Sequence, residues 1–210
     1  MKTTLARAAV LLGALLAAGA ARAQDYRSYR PQQSLYIFNY EISKGVGSFG
    51  DFIDATSYRG FSFEARSMVR DSFSAGIGVT WNRFDQTVDA TRTYPNGGQL
   101  TGPSYRYADQ LAIKGLFHAY LGQGALRPYL GVGLGGVWNY SYSQMADFAS
   151  ADNGFEFIAS PEVGLTFTLA KGASSAGINL ALRYNWTTAD FQSVNDAQSV
   201  ALAIGFFGSY

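Results

Sequence analysis

The chain has 210 residues, and its 16 Lys or Arg and 15 Asp or Glu give a net charge of +1. It contains no Cys, which excludes disulfides and cysteine-based zinc sites. The charge balance argues against a nucleic-acid-binding protein. Beyond the N-terminal segment no run of 18 apolar residues occurs, so a helical membrane protein is not expected, and the length suits one domain.

The N-terminus has the pattern of a secretory signal peptide. Lys2 and Arg7 precede an apolar stretch over 8–21, and Ala21-Arg22-Ala23 fits a cleavage site. The alternative, a buried N-terminal helix, explains the cleavage pattern less well. We therefore assign 1–23 to a signal peptide, 24–33 to a periplasmic N-terminal segment and 34–210 to the folded domain. Removal of 23 residues, three of them basic, leaves 187 residues with a charge of 13 − 15 = −2.

After this segment, large apolar residues alternate with small or polar residues in eight stretches of the chain. A period of two is the pattern of a β-strand with two different faces. Each stretch is long enough, or nearly so, to cross a membrane as a tilted strand. The eight predicted strands cover residues 36–42, 61–69, 73–82, 110–121, 129–142, 157–169, 178–187 and 199–210.

One of these strands, "YLGVGLGGVWNY" at 129–140, also contains the G-x-G-x-x-G spacing of dinucleotide-binding proteins. That motif needs a helix after the glycines. The residues that follow are rich in β-formers instead. We therefore interpret Gly131, Gly133 and Gly135 as inward-facing positions in a narrow barrel, where small residues leave room for long side chains from the opposite walls.

The connections between the predicted strands alternate in length. Long connections are expected at 44–58, 86–109 and 144–154, short ones at 70–72, 122–126 and 170–175, and an intermediate one at 189–196. An even strand number with alternating connections is typical of bacterial outer-membrane barrels, whose short turns are periplasmic and whose long loops are extracellular. A soluble β-sandwich also alternates, but its connections need not. The sequence therefore predicts an all-β fold, an eight-stranded antiparallel transmembrane β-barrel.

Aromatic residues on the apolar side of the strands gather near the strand ends. Such positions suit the aromatic girdles of membrane barrels at the two membrane interfaces. The predicted girdle consists of Trp81, Trp138, Tyr140, Tyr184 and Trp186 toward the long connections, and Phe73, Phe167 and Phe206 toward the short turns.

Several segments resemble the outer-membrane β-barrel domain family, which includes the small OmpA/OmpX-type barrels. The resemblance covers most of the mature chain and is clearest in "RPYLGVGLGG", "PEVGLTFTLA" and "GINLALRYNW". It implies that Gly205 and Tyr210 form a terminal signal for the barrel-assembly machinery, although Gly208 departs from that signal. It also implies contact with outer-membrane lipids and lipopolysaccharide, and we expect a monomer.

Six charged residues lie on the polar side of the predicted strands: Glu41, Glu64, Arg66, Lys114, Glu162 and Arg183. Three acids balance three bases, and in a narrow interior each charge needs a partner. Counting from the turn at 170–175 places Glu162 opposite Arg183. Lys114 is expected to reach toward Glu64 or Glu162. These pairs would plug the lumen, whereas a wet lumen would leave the charges solvated.

The sequence offers little evidence of catalysis or of a cofactor. His118 is the only histidine, and no Ser-His-Asp arrangement accompanies it, so a packed lumen histidine is the better interpretation. We expect no cofactor and no metal site. The predicted long connections contain acidic residues that could bind Ca²⁺ or bridge to lipopolysaccharide, although solvated charge explains them better. These residues are Asp51, Asp54, Asp85, Asp89, Asp147 and Asp152.

These patterns favour a structural and interaction protein of the outer membrane, with a charge-plugged lumen and loops displayed outside. Two alternatives stay open. The first is a narrow channel or a binder for small apolar molecules, and the second is a lipid-modifying enzyme.

If the N-terminal segment is a signal peptide, the mature protein should begin at Gln24, because cleavage follows Ala23. N-terminal sequencing of protein extracted from membranes measures this directly. An intact Met1 in that material would rule the signal peptide out.

Overall fold

The alternating segments form nine β-strands and one short helix in a computed structural model, which describes residues 34–93, 96–146, 148–170, 175–190 and 194–209. The predicted signal peptide, the segment 24–33 and Tyr210 lie outside the described residues. In chain order the elements are β1 Ser34–Val46, α1 Ser48–Phe52, β2 Thr56–Ser57, β3 Arg59–Arg70, β4 Phe73–Thr93, β5 Gln99–Tyr120, β6 Leu126–Met145, β7 Phe148–Ala170, β8 Ser175–Thr187 and β9 Gln198–Ser209.

The eight long strands close into a ring. Every neighbouring pair is antiparallel, in the order β1-β3-β4-β5-β6-β7-β8-β9, and β1 pairs back onto β9 from Leu35↔Ser209 to Val46↔Gln198. The two-residue strand β2 adds to one end of β1. Closure leaves no free edge along the paired length of the long strands. The predicted eight-stranded antiparallel barrel is confirmed.

The two faces of the sheet are inverted relative to those of a soluble protein. The outward side chains are large and apolar, and many are well exposed, for example Ile77 at 67% and Phe206 at 71%. The inward side chains of the same strands include buried Asn, Ser, Thr, Glu, Arg and Lys. In the described part of the chain, no helix is long and apolar enough to cross a membrane.

The eight predicted girdle aromatics all lie on the outward face. Trp138, Tyr184, Phe73, Phe167 and Phe206 are exposed. The other three are partly covered by neighbouring rings, since Trp81 packs on Phe61 at 5.4 Å, Tyr140 on Tyr107 at 5.8 Å and Trp186 on Phe157 at 6.3 Å between centroids. Cross-strand ring pairs of this kind stabilise a sheet.

Two predicted long loops are wrong and are paired strands instead. Residues 86–109 continue β4 to Thr93 and start β5 at Gln99, and residues 144–154 likewise extend β6 and β7. Pairing continues because tyrosines and threonines occupy facing positions. The rings of Tyr107 and Tyr142 stack at 5.1 Å, and the hydroxyl groups of Thr91 and Thr101 are 2.8 Å apart. Asp85, Asp89 and Asp152 therefore lie on strands rather than in loops.

The predicted long connection at 44–58 contains α1 and β2, and it folds against the barrel. Phe49, Phe52 and Ile53 are buried, and the ring of Phe49 meets that of Phe84 edge-on at 4.9 Å. These side chains form one apolar cluster with residues from β4, β5 and the segment after β8. We call this cluster the apolar cap; its members are Phe49, Phe52, Ile53, Phe84, Ala108, Ala189, Val194 and Ala197.

Because paired strands resist proteases, the β4–β5 hairpin should be cut only between Thr93 and Gln99. We expect protease added to whole cells to cleave there and to leave β4 and β5 intact, as mass spectrometry of the fragments would show. Cleavage within 84–92 or 100–108 would contradict the extended hairpin. Cleavage in the short turn at 122–126 would invert the expected topology.

Candidate functional site, an ion-pair network inside the barrel

The barrel interior holds all six charged residues predicted to face it. They come from five strands: Glu41 on β1, Glu64 and Arg66 on β3, Lys114 on β5, Glu162 on β7 and Arg183 on β8. All six are buried, with exposed fractions between 0% and 9%. Each lies on the polar face of its strand, and this face points into the barrel because successive side chains alternate between the two faces.

Arg183 is the centre of the network. Its guanidinium group contacts Glu41, Glu64 and Glu162, and the Nε donor lies 2.5 Å from Glu162 Oε2. The Nη1 group also donates to Ser62 Oγ at 3.0 Å. Glu162 lies opposite Arg183 in the β7–β8 register, the pairing that the sequence predicts. One planar side chain therefore ties β8 to three other strands.

Arg66 crosses the full width of the interior. Its Nε and Nη2 groups donate to Glu64 Oε2 at 2.8 and 2.5 Å, and Nη2 also reaches Glu162 Oε1 at 3.2 Å. β3 and β7 are four strands apart in either direction around the ring of eight. The contact between Arg66 and Glu162 thus joins opposite walls of the barrel.

His118 is a further member of the network, and the sequence pattern does not predict its contact with Glu162. His118 Nε2 lies 2.7 Å from Glu162 Oε1, and its side chain is fully buried. The two arginines and three glutamates in contact sum to −1, and a proton on His118 would bring the sum to zero. Its inward position was visible in the sequence, but its partner was not.

Polar uncharged side chains complete the hydrogen bonding around the charges. Asn39 Nδ2 donates to Glu64 Oε1 at 3.2 Å and to Ser62 Oγ at 3.1 Å, and Asn179 Nδ2 donates to Asn39 Oδ1 at 2.9 Å. Tyr129 donates to Asn179 Oδ1 at 2.9 Å, and Arg66 Nη1 donates to the Tyr120 hydroxyl at 3.2 Å. A buried charge is tolerated only when its remaining donors and acceptors are satisfied in this way.

The predicted reach of Lys114 toward Glu64 or Glu162 is wrong. Lys114 Nζ donates to Ser160 Oγ at 3.3 Å, and within the described residues it forms no ion pair. Both carboxylates are already held by the two guanidinium groups, which offer several donors in a fixed plane. Lys114 instead remains next to the network, packed over β6.

The sequence predicts that the glycines of β6 make room for long side chains from the opposite walls. The glycines instead make room for side chains of the neighbouring strand β5. A Cβ atom at Gly131 would lie 2.3 Å from His118 Cδ2, and one at Gly133 would lie 3.2 Å from Lys114 Cδ. In the register, Gly131 lies directly opposite His118 and Gly135 opposite Lys114. The glycines are thus a packing requirement of the two β5 residues.

Comparisons with known proteins identify the fold. No protein-family model matches the sequence, and no curated protein sequence is significantly similar to it. Ail, the attachment invasion locus protein of Yersinia pestis, superposes with a TM-score of 0.54 at 8% identity, over 86% of this chain and 100% of that one. The neisserial surface protein NspA gives a TM-score of 0.54 at 13% identity, over 86% and 98%. The chain therefore has the fold of the small outer-membrane β-barrels.

Replacing one partner of the central pair should destabilise the barrel strongly, because the other charge is left buried and unpaired. We expect Glu162→Ala and Arg183→Ala each to lower the free energy of unfolding by about 3–5 kcal/mol, and the double mutant to lose less than the sum. Urea unfolding in lipid bilayers measures all three.

The exposed pair of Arg59 and Asp85, whose charged groups lie 3.3 Å apart, provides the matched control. Asp85→Ala should cost less than about 1 kcal/mol, since surface ion pairs contribute little. Additive losses for Glu162 and Arg183 would show that the two residues do not act as a pair.

Proposed function

We propose that this protein is an outer-membrane β-barrel with a structural and interaction role, whose lumen is closed by the Arg183-centred network. The contact between Arg66 and Glu162 carries the proposal, because it joins opposite walls in the middle of the barrel. A permeating molecule would have to break several charge-assisted hydrogen bonds at once. Breaking each bond costs free energy because the charged groups are buried and water does not replace the lost partner.

The outer-membrane location is supported by the inverted faces of the sheet. A continuous exposed band of Phe, Leu, Ile and Val around a closed barrel is far larger than the apolar patches of soluble proteins. Ail and NspA share this fold, and the predicted signal peptide would export the chain. Lipids and lipopolysaccharide would then contact the outward face, and the barrel-assembly machinery would insert the chain.

The interaction role is supported by the two extended hairpins, which continue beyond the apolar band. β4 and β5 remain paired up to Thr93↔Gln99, and β6 and β7 up to Met145↔Phe148. Rigid paired strands present side chains in fixed positions, which suits a protein that is recognised from outside. One protein of this fold, Ail, is named as an attachment protein.

A lipid-modifying enzyme is less well supported. The only histidine, His118, is fully buried and its Nε2 atom is engaged by Glu162. A general base must be within hydrogen-bond reach of its substrate. A lipid held against the outward face would lie on the other side of the sheet from this imidazole.

Conductance of the refolded protein in planar bilayers tests the closed lumen. We expect no steady current through the wild-type barrel, and openings in Arg66→Ala, because that variant removes the direct contact between β3 and β7. Arg59→Ala, which alters an exposed ion pair, should stay silent. A steady wild-type current would reject the closed lumen and favour the narrow channel.

A further inference from the structure

A small cavity lies inside the rim of the barrel, between β6, β7 and the segment that follows β8. Its volume is about 20 Å³, which is room for one group the size of a water molecule. It is separate from the ion-pair network and lies toward the extended hairpins. The cavity is lined by Asn139, Ser141, Asp152, Asn153, Gly154, Glu156, Ala189 and Asp190.

The inner wall of this cavity is formed by two buried polar side chains, Asn139 and Ser141. Asn139 is 4% exposed and Ser141 is 1% exposed. Asn139 Oδ1 accepts a hydrogen bond from Gln110 Nε2 at 3.0 Å, but within the described residues neither Asn139 Nδ2 nor Ser141 Oγ has a hydrogen-bond partner. Burying a polar group without a hydrogen-bond partner costs free energy, so these two groups call for an explanation.

The outer wall carries three carboxylates. Asp152 lies opposite Ser141 in the register, and Gly154 lies opposite Asn139. The Glu156 carboxylate leans back over this glycine, since a Cβ atom at Gly154 would lie only 2.5 Å from Glu156 Oε1. Asp190 is oriented by a hydrogen bond of 3.3 Å from the Asp196 backbone N–H.

These carboxylates carry an uncompensated negative charge. In the described ranges no Lys, Arg or His forms an ion pair with Asp152, Glu156 or Asp190. Asp152 and Asp190 are exposed and Glu156 is half-buried, so the charge lies at the open side of the cavity. The buried end thus offers an amide N–H and a hydroxyl group, and the open end offers carboxylates.

We propose that this cavity is a binding subsite for a 2-amino alcohol unit. A neutral oxygen in the cavity would accept hydrogen bonds from Asn139 Nδ2 and Ser141 Oγ, and an ammonium group on the neighbouring carbon would lie at the open end, on the side of the carboxylates. A bare cation suits the carboxylates but would face the positive end of the Asn139 amide. A neutral alcohol suits the inner wall but leaves the carboxylates unpaired.

Two sources supply this chemistry, ethanolamine head groups and amino sugars. Both have an oxygen and an amine on adjacent carbons. Isothermal titration calorimetry of the refolded full-length protein, in a detergent without amino groups and at low salt, distinguishes them with ethanolamine and glucosamine as the probes. Preference for either probe identifies the source and supports the subsite.

Two matched ligands test the contribution of the oxygen and that of the charged amine separately. Ethylamine lacks the oxygen, and N-acetylglucosamine lacks the charge. We expect ethylamine to bind about threefold to tenfold more weakly than ethanolamine, and N-acetylglucosamine about tenfold or more weakly than glucosamine. Equal affinities within either pair would overturn the proposal.

Variants assign the binding to this cavity. Ser141→Ala should weaken the preferred probe about threefold, and Glu156→Gln about tenfold, with no change in folded fraction as judged by heat-modifiable migration. Asp89→Asn removes the same charge from an exposed position on β4 and should leave binding unchanged. Equal weakening by Asp89→Asn would mean that the carboxylates attract cations without a site. The absence of binding of both probes would overturn the proposal. The result does not depend on whether the barrel conducts.

Discussion

One guanidinium group, that of Arg183, constrains the rest of the barrel. It contacts carboxylates on β1, β3 and β7 from its own position on β8. Removing these charges from water costs several kcal/mol per ion, and the cost is recovered only if every donor and acceptor finds a partner. Asn39 and Ser62 supply partners to Glu64 and Arg183 directly, and Asn179 and Tyr129 continue the chain of hydrogen bonds behind Asn39, so the interior tolerates little rearrangement.

The network also fixes the strand register. A slip of one residue in a strand that carries one of these charges would move that charge to the apolar outer face and bring an apolar set inside. The same constraint explains the glycines of β6, because any side chain at Gly131 would displace His118 from Glu162. Polar pairing and small residues are therefore two parts of one packing solution.

The interior has a layered arrangement along the barrel axis. Tyr120 and Tyr129 pack near the short turns, the charges occupy the middle, and the apolar cap fills the end toward the long connections. Apolar packing at both ends keeps water away from the ion pairs and strengthens them. Within the part of the chain that the structure describes, the rim at β6 and β7 combines buried unpartnered donors with carboxylates outside any ion pair, which distinguishes it from the closed interior.

The sequence by itself determined the period, the strand number, the inward direction of the charged residues and one ion pair. Glu162 and Arg183 could be paired by counting because a single short turn joins their strands, and register follows from the turn. The outward direction of the girdle aromatics followed from the same parity.

Only the tertiary structure decided the contacts between distant strands. Arg66 meets Glu162, and Lys114 meets Ser160 instead of a carboxylate, because ring closure sets which walls face each other and which carboxylates are already occupied. The sequence predicts loops at the extended hairpins because of their Pro and Gly residues, whereas the pairing of these strands depends on cross-strand Tyr and Thr contacts. The sequence does not predict the apolar cap. Its five-residue helix is stabilised by packing against Phe84 and Ala108, and the local sequence pattern carries no sign of these distant contacts.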